Sequence, residues 1–247
     1  MSSDRAVEAV LLDVGGVFLL PDPAVLQAAL RPWAPDVSVT ELRRSHYAGT
    51  AAMDANAFRA VEAAIAGPAL SHGGWAAYNG GFVGALGLTG ARADEAAAAV
   101  GDAHVGLGWT EVVPGSLDAL RRLADTGVAL GIVSNSDGTV AEQLLTARIC
   151  QVGEGEGVVV TVVLDSHVVG IEKPDPAIFH QALEALGARP EWALHVGVTA
   201  WADVVGARAA GVRPVHLDPY QLCPVPTDHE HAIDLDDVVR LVGAHHG

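Results

Sequence analysis

Four residues in this sequence stand where their side chains can do chemistry together. Asp13 closes an apolar run, Val7-Glu8-Ala9-Val10-Leu11-Leu12, and is followed by Val14-Gly15-Gly16-Val17. A carboxylate at the end of a buried strand, beside two glycines that let a ligand come close, can act as a covalent nucleophile, forming an acyl phosphate that water then hydrolyses. Ser134 ends a second run, Val128-Ala129-Leu130-Gly131-Ile132-Val133, and can offer its hydroxyl and nearby backbone N–H groups to a phosphate. Lys173, in Gly170-Ile171-Glu172-Lys173-Pro174, is the only lysine in the chain and can set a fixed positive charge against the same group and against Asp13. Asp203 follows a third run, Ala193-Leu194-His195-Val196-Gly197, and can supply a second carboxylate for Mg²⁺, a hard cation that prefers oxygen ligands.

These side chains meet only if the runs that carry them are neighbours. Short β-branched-rich runs alternating with helical stretches predict a doubly wound α/β fold with a parallel sheet, in which ligands bind at the carboxyl ends of the strands. Helices are expected over residues 116–124, 139–146, 174–186 and 204–210, a further strand over 212–217, and a last helix over 235–242. The third of these helices has proline in its opening turn and Gly187 near its stop. The region from Pro21 to Gly108 differs: it is Ala-rich, with helical segments at 23–30, 40–47, 55–66, 74–86 and 91–100 and no convincing strand. Ser38 and Asp54 are its expected N-caps. The chain therefore reads as a core domain, residues 1–20 and 109–247, with an inserted helical domain, residues 21–108.

The same residues lie in four ordered motifs. Leu11-Leu12-Asp13-Val14-Gly15-Gly16-Val17 and Ile132-Val133-Ser134-Asn135-Ser136 resemble the first and second motifs of the haloacid dehalogenase-like (HAD) hydrolase superfamily. Glu172-Lys173-Pro174-Asp175-Pro176 with Ile178-Phe179 resembles the third and is the most specific match; Val196-Gly197 through Asp203 to Gly211 resembles the fourth. The resemblance covers nearly the whole chain. It implies a Rossmann-like core with a helical cap inserted after the first motif, and the Mg²⁺-dependent phosphatase branch. The expected reaction is hydrolysis of a small phosphorylated metabolite through an aspartyl-phosphate on Asp13. The resemblance also implies roles: Asp13 as nucleophile, Ser134 with Asn135 and Gly16 at the phosphoryl group, Lys173 neutralising and orienting, and Mg²⁺ held by Asp13, the Gly15 carbonyl and Asp203.

Two positions depart from that pattern. Phosphatase members usually carry Asp two residues after the nucleophile as general acid and base, where this chain has Gly15. The fourth motif normally reads Gly-Asp, where this chain reads Gly197-Val198, and valine offers the metal no oxygen. Three readings stay open: a phosphatase with weakened Mg²⁺ affinity and turnover, a catalytically degenerate member that binds a metabolite or a protein, and, with less support, another carbon–halogen or transferase chemistry on the same nucleophile. Asp137 is a substitute carboxylate if it reaches the metal. Asn135 and Asp137 are otherwise open between lining the site and capping the helix at Thr139, and Asp203 between metal ligand and early-helix carboxylate. The dehalogenase branch usually has an aromatic residue at the position of Gly15, and no halide-binding constellation is present. A phosphonatase uses a cap lysine, and residues 21–108 contain none.

Composition limits the partners. The 247 residues carry a net charge of −16, which opposes nucleic acid and anionic lipid, so capture of a phosphate falls to a local cation site. No apolar run approaches the roughly 18–20 residues a membrane helix needs. The apolar stretch at 6–20 is broken by Glu8 and Asp13 and reads as a buried strand rather than a signal peptide. Cys150 and Cys223 have neither metal nor redox spacing, which suits a reducing cytoplasm. A monomer or homodimer is expected. His229, His231, His245 and His246 are irregularly spaced and read as a solvated tail rather than a metal site. Trp75 and Tyr78 lie at helical spacing and read as helical-domain core.

Overall fold

Short runs rich in valine and leucine satisfy their backbone groups by pairing with one another, and their side chains need cover on both faces. The computed structural model describes residues 7–62, 70–104, 108–225 and 229–244. In chain order its elements are β1 (Ala9–Leu12), β2 (Leu19–Pro21), α1 (Pro23–Leu30), α2 (Val39–Glu62), α3 (Leu70–Gly84), α4 (Ala91–His104), β3 (Trp109–Val112), α5 (Ser116–Asp125), β4 (Ala129–Ser134) and α6 (Val140–Thr146). They continue with β5 (Cys150–Val152), β6 (Val158–Val160), β7 (Val162–Asp165), α7 (Ser166–Val169), α8 (Pro176–Leu186), β8 (Ala193–Gly197), α9 (Gly206–Ala209), β9 (Arg213–Leu217), β10 (Glu230–Ala232) and α10 (Leu235–Ala244). Two compact units result. One comprises Met1–Leu19, Val112–Pro219 and Asp228–Gly247; the other comprises Leu20–Glu111 and Tyr220–Thr227. Tyr220–Thr227 thus groups with the helical unit, although sequence assigned it to the core.

The first unit is a doubly wound α/β sheet. Six parallel strands run in the order β10-β9-β8-β1-β4-β7, with β1 between β8 and β4. Leu12 pairs with both Ile132 and Val196, so Asp13, Ser134 and Gly197 emerge at the same end of the sheet. Ala9 and Leu11 pack with Ile178, Phe179, Ala182 and Leu183 of α8. Val10 and Leu12, which point the other way, are also fully buried, so β1 is covered on both faces. Among the features not read from sequence are edge strand β7, the small β5–β6 sheet, β10, the β2–β3 pair and the short α7. The first two share one nearly continuous valine run, 158–164, in which no turn signal separates the strands.

The second unit is helical. Its core joins Leu26, Leu30, Leu42, Tyr78, Phe82, Ala96 and Val100. Ser38 caps α2 as expected: the Glu41 carboxylate accepts from Ser38 N at 2.8 Å, and Ser38 Oγ accepts from Glu41 N at 3.2 Å. The two helices expected over 40–66 are a single one, α2, with Asp54 buried inside it rather than capping a second helix. The intervening Ala48-Gly49-Thr50-Ala51-Ala52 lacks a proline to stop the helix. Residues 63–66 of the second expected helix lie outside the described residues. Tyr78 is core as expected, whereas Trp75 is exposed. Among the described residues no helix is long and apolar enough to cross a membrane.

Helices α2 and α3 approach closely because glycine faces the contact. A Cβ on Gly81 would lie 2.5 Å from Ala52 Cβ and 2.8 Å from the Ala48 carbonyl, whereas one on neighbouring Gly80 would meet nothing within 4 Å. The two substitutions therefore differ in sign. Gly80→Ala should stabilise by up to about 1 kcal/mol through helix propensity. Gly81→Ala should destabilise, because overpacking costs about 1–3 kcal/mol. Urea midpoints of the two variants test this, and equal shifts would refute it.

Candidate active site

Lys173 is the hub of the site. Its ammonium is buried, 3.0 Å from Asp13 Oδ1 and 2.6 Å from Asp203 Oδ1. Asp13 is fixed at the strand end because its N–H donates to the Val196 carbonyl at 2.9 Å, continuing the β1–β8 pairing. Lys173 itself lies in a loop and is held by Asn135. The Asn135 amide donates to the Lys173 carbonyl at 2.9 Å, and its oxygen accepts from Lys173 N–H at 2.8 Å. Asp175 and Pro176 then start α8, with the Asp175 carboxylate accepting from Ala177 N.

Asp203 is delivered by an unusual turn. Residues Ala200–Val205 form a π-helix, with Val204 N–H donating to the Thr199 carbonyl at 3.3 Å. Such wide turns recur at functional sites. The Asp203 carboxylate sits against Gly197, where any Cβ would overlap it. Gly206 plays the same part behind Lys173: a Cβ there would lie 2.9 Å from Pro174 Cα. All four acceptor positions of Asp203 are taken. Oδ1 receives Lys173 and, at 2.9 Å, His195 Nε2; Oδ2 receives Thr199 N at 3.0 Å and Thr199 Oγ1 at 2.7 Å. His195 is fully buried, edge-on to Phe179 with ring centroids 4.9 Å apart. Sequence treated it as an inner strand residue. Its signal was a polar side chain in the otherwise apolar run of β8.

The remaining expected residues take several positions. Ser134 is buried at the end of β4, opposite Asp165 in the β4–β7 pairing. Asp165 shapes the loop that follows, accepting from Gly138 N at 3.0 Å and Val140 N at 3.3 Å. Asn135, expected at the phosphoryl group, has both amide atoms on the Lys173 backbone. Gly16, also expected there, has φ +73° and donates its N–H to the Leu19 carbonyl at 2.8 Å, so it shapes the turn after Asp13. Asp137 accepts from Thr139 N at 3.2 Å and Thr139 Oγ1 at 2.6 Å, and so shapes the turn that leads into α6.

One ammonium shared by two buried carboxylates leaves them unequal. Burial raises the Asp13 carboxyl above its ordinary value, which Lys173 only partly offsets and Asp203 reinforces. Burial also acts upward on Asp203, but Lys173 and the His195 hydrogen bond outweigh it and hold that carboxyl well below the usual range. Burial acts downward on Lys173, yet the two carboxylates carry it above 10.5.

The donor chemistry suits a hard cation only in part. Asp13 keeps Oδ2 outside its Lys173 contact, and the main-chain carbonyl of Gly15 adds an oxygen beside it in sequence. Mg²⁺ commonly makes do with one or two carboxylates plus waters and substrate phosphate. Asp203, with its acceptor positions filled by protein donors, serves Lys173 instead.

Because Lys173 is the only lysine, its Cε signal in a ¹³C-labelled, metal-free sample reports this hub directly. Its native value is raised, so while its two carboxylates are ionised the lysine charge contributes stability that is fully present below 10.5 and is lost as pH rises through the higher native value. The Cε midpoint should lie above 10.5, and both Asp203→Asn and Gly197→Ala should lower it. A natural-chain midpoint at or below 10.5 would refute the arrangement.

Similarity to known proteins agrees with this geometry. A phosphoserine phosphatase of Thermus thermophilus is 42% identical over 92 residues, covering 37% of this chain and 34% of that protein. A phosphoglycolate phosphatase of Rhodospirillum rubrum is 32% identical over 139 residues, covering 56% of this chain and 54% of that protein. The chain thus spans about a third to a half of the length of these relatives. Among solved structures, the magnesium-bound HAD-hydrolase YfnB of Bacillus subtilis has a TM-score of 0.56 at 18% identity, covering 97% of this chain and all of that one. It shares the fold. The family model for haloacid dehalogenase-like hydrolases matches residues 7–211. With most of its length so matched, the chain belongs to the haloacid dehalogenase-like hydrolase family.

Proposed function

We propose that this chain is a Mg²⁺-dependent phosphoric monoester hydrolase that acts on a small phosphorylated metabolite, with Asp13 as the nucleophile. The observation that carries the reading is the buried Lys173 ammonium 3.0 Å from Asp13. It offsets part of the cost of ionising a buried carboxylate and sets positive charge where phosphoryl oxygens would lie. The phosphatase relatives support the same chemistry.

In this reading the Asp13 carboxylate attacks phosphorus, the P–O bond to the leaving group breaks, and an aspartyl-phosphate forms. Water then attacks that phosphorus, the Asp13–phosphoryl bond breaks, inorganic phosphate leaves and the carboxylate returns. Ser134 hydrogen-bonds the transferred group. Lys173 faces its developing charge, while Asn135 and Asp203 fix the lysine's position. Mg²⁺, when bound by Asp13 and the Gly15 carbonyl with water completing its shell, supplies further neutralisation of the phosphoryl oxygens. Gly15 has no proton to give, so the departing oxygen takes its proton from solvent. Turnover should therefore fall steeply as the leaving group becomes more basic.

Hydrolysis of a series of aryl phosphates with rising leaving-group pKa, with and without Mg²⁺, tests this. Turnover should vanish on chelation, fall at least about 10³-fold in Asp13→Asn, and flatten in leaving-group dependence in Gly15→Asp. Val198→Asp should raise Mg²⁺ affinity. Metal-independent turnover, or turnover retained in Asp13→Asn, would overturn the reading.

A further inference from the structure

Away from Asp13, the α/β unit gathers three histidines that the proposed reaction does not use. β9 and β10 pair in parallel with His231 opposite His216. His229 lies just before β10, and its ring stacks on that of His231 and lies beside that of His216. One ring nitrogen of each lies within 4.8 Å of the others. The rings crowd together, with centroids 5.1 Å apart for His216–His229, 5.1 Å for His216–His231 and 4.4 Å for His229–His231.

The ring contacts settle which atoms point inward. His216 Nε2 lies 3.1 Å from the Val198 carbonyl, so that nitrogen carries the proton and Nδ1 presents a lone pair. His216 Nδ1 in turn faces His229 Nε2 at 3.0 Å. A tetrahedral ion with metal–nitrogen bonds of about 2.0–2.1 Å sets its ligand nitrogens roughly 3.3 Å apart, close to this separation. His231 Nδ1 lies 3.5 Å from the Asp218 carboxylate. A carbonyl on one ring and a carboxylate near another are the outer partners that histidine ligands to metals commonly have. His216 and His229 are buried, while His231 is exposed and leaves a route in from solvent.

We propose that His216, His229 and His231 form a site for a transition-metal dication, Zn²⁺ foremost, separate from the proposed Mg²⁺ position. Imidazole nitrogens suit Zn²⁺, whereas Mg²⁺ takes oxygen. The ion ties β9 to β10. Through His216 it also holds the Val198 main chain, the position at which this chain lacks the fourth-motif aspartate.

The test uses the full chain without a polyhistidine tag, stripped with a chelator and dialysed against Zn²⁺. Elemental analysis should find one zinc per chain, Co²⁺ loading should give the visible absorption of a four-coordinate site, and zinc should raise the melting temperature. His231→Ala, at an exposed position, should weaken zinc binding at least about 10-fold, the loss that even an outer partner of a ligand causes, and His229→Ala should do the same. Asp13→Asn and a His245→Ala/His246→Ala variant should retain the zinc, and so separate this site from the proposed active site and from the tail. No zinc on the folded natural chain, undiminished binding in His229→Ala/His231→Ala, or loss of zinc in either control variant would overturn the proposal.

Discussion

The structure depends on one buried ammonium set between two buried carboxylates. Lys173 lies 3.0 Å from Asp13 and 2.6 Å from Asp203. Removing one member of such a cluster leaves an unpaired buried charge, at a cost of about 3–5 kcal/mol. Much of the surrounding sequence follows from holding the three groups in register. β1 and β8 fix Asp13, Asn135 clamps the Lys173 backbone, and the π-helix with Gly197 brings Asp203 in. Gly206 lets Pro174 lie against the start of α9. Gly197 and the buried polar residues Asp13, Ser134, Lys173 and Asp203 thus gather at the carboxyl end of the sheet.

The two motif departures act on different parts of this arrangement. Gly15 removes a proton donor but takes no part in the Asp13–Lys173 ion pair, which stays in place. Val198 removes an oxygen ligand, and the Val198 main chain is instead bonded to His216. With Asp203 already saturated by Lys173, His195 and Thr199, the proposed metal position rests on Asp13, main chain and water.

Much of the fold was legible because its signals are local. The strands carrying Asp13, Ser134 and Gly197 read as apolar runs ending in small or polar residues, and α1, α5 and α8 carried proline, glycine or periodicity cues. The missed elements lacked such cues. The valine run at 158–164 hides the break between β6 and β7, and nothing in Ala48–Ala52 shows whether a helix continues. The candidate residues were legible as types at strand ends, but not as partners. That Asn135 would grip Lys173 rather than line the site, or that Asp203 would be filled by protein donors, depends on loops folding back over tens of residues. The burial of His229, read from sequence as part of a solvated tail, was hidden for the same reason. His229 and His231 look irregular along the chain, and only the pairing of β10 with β9 sets them beside His216.

The most direct test of the central claim is rapid-quench mass spectrometry of the enzyme during turnover of an aryl phosphate with Mg²⁺. If Asp13 attacks phosphorus beside Lys173, a hydroxylamine-sensitive phosphoryl group appears on the Asp13 peptide within the first turnover and decays as phosphate is released. Turnover with that peptide unmodified at every time point would contradict the account.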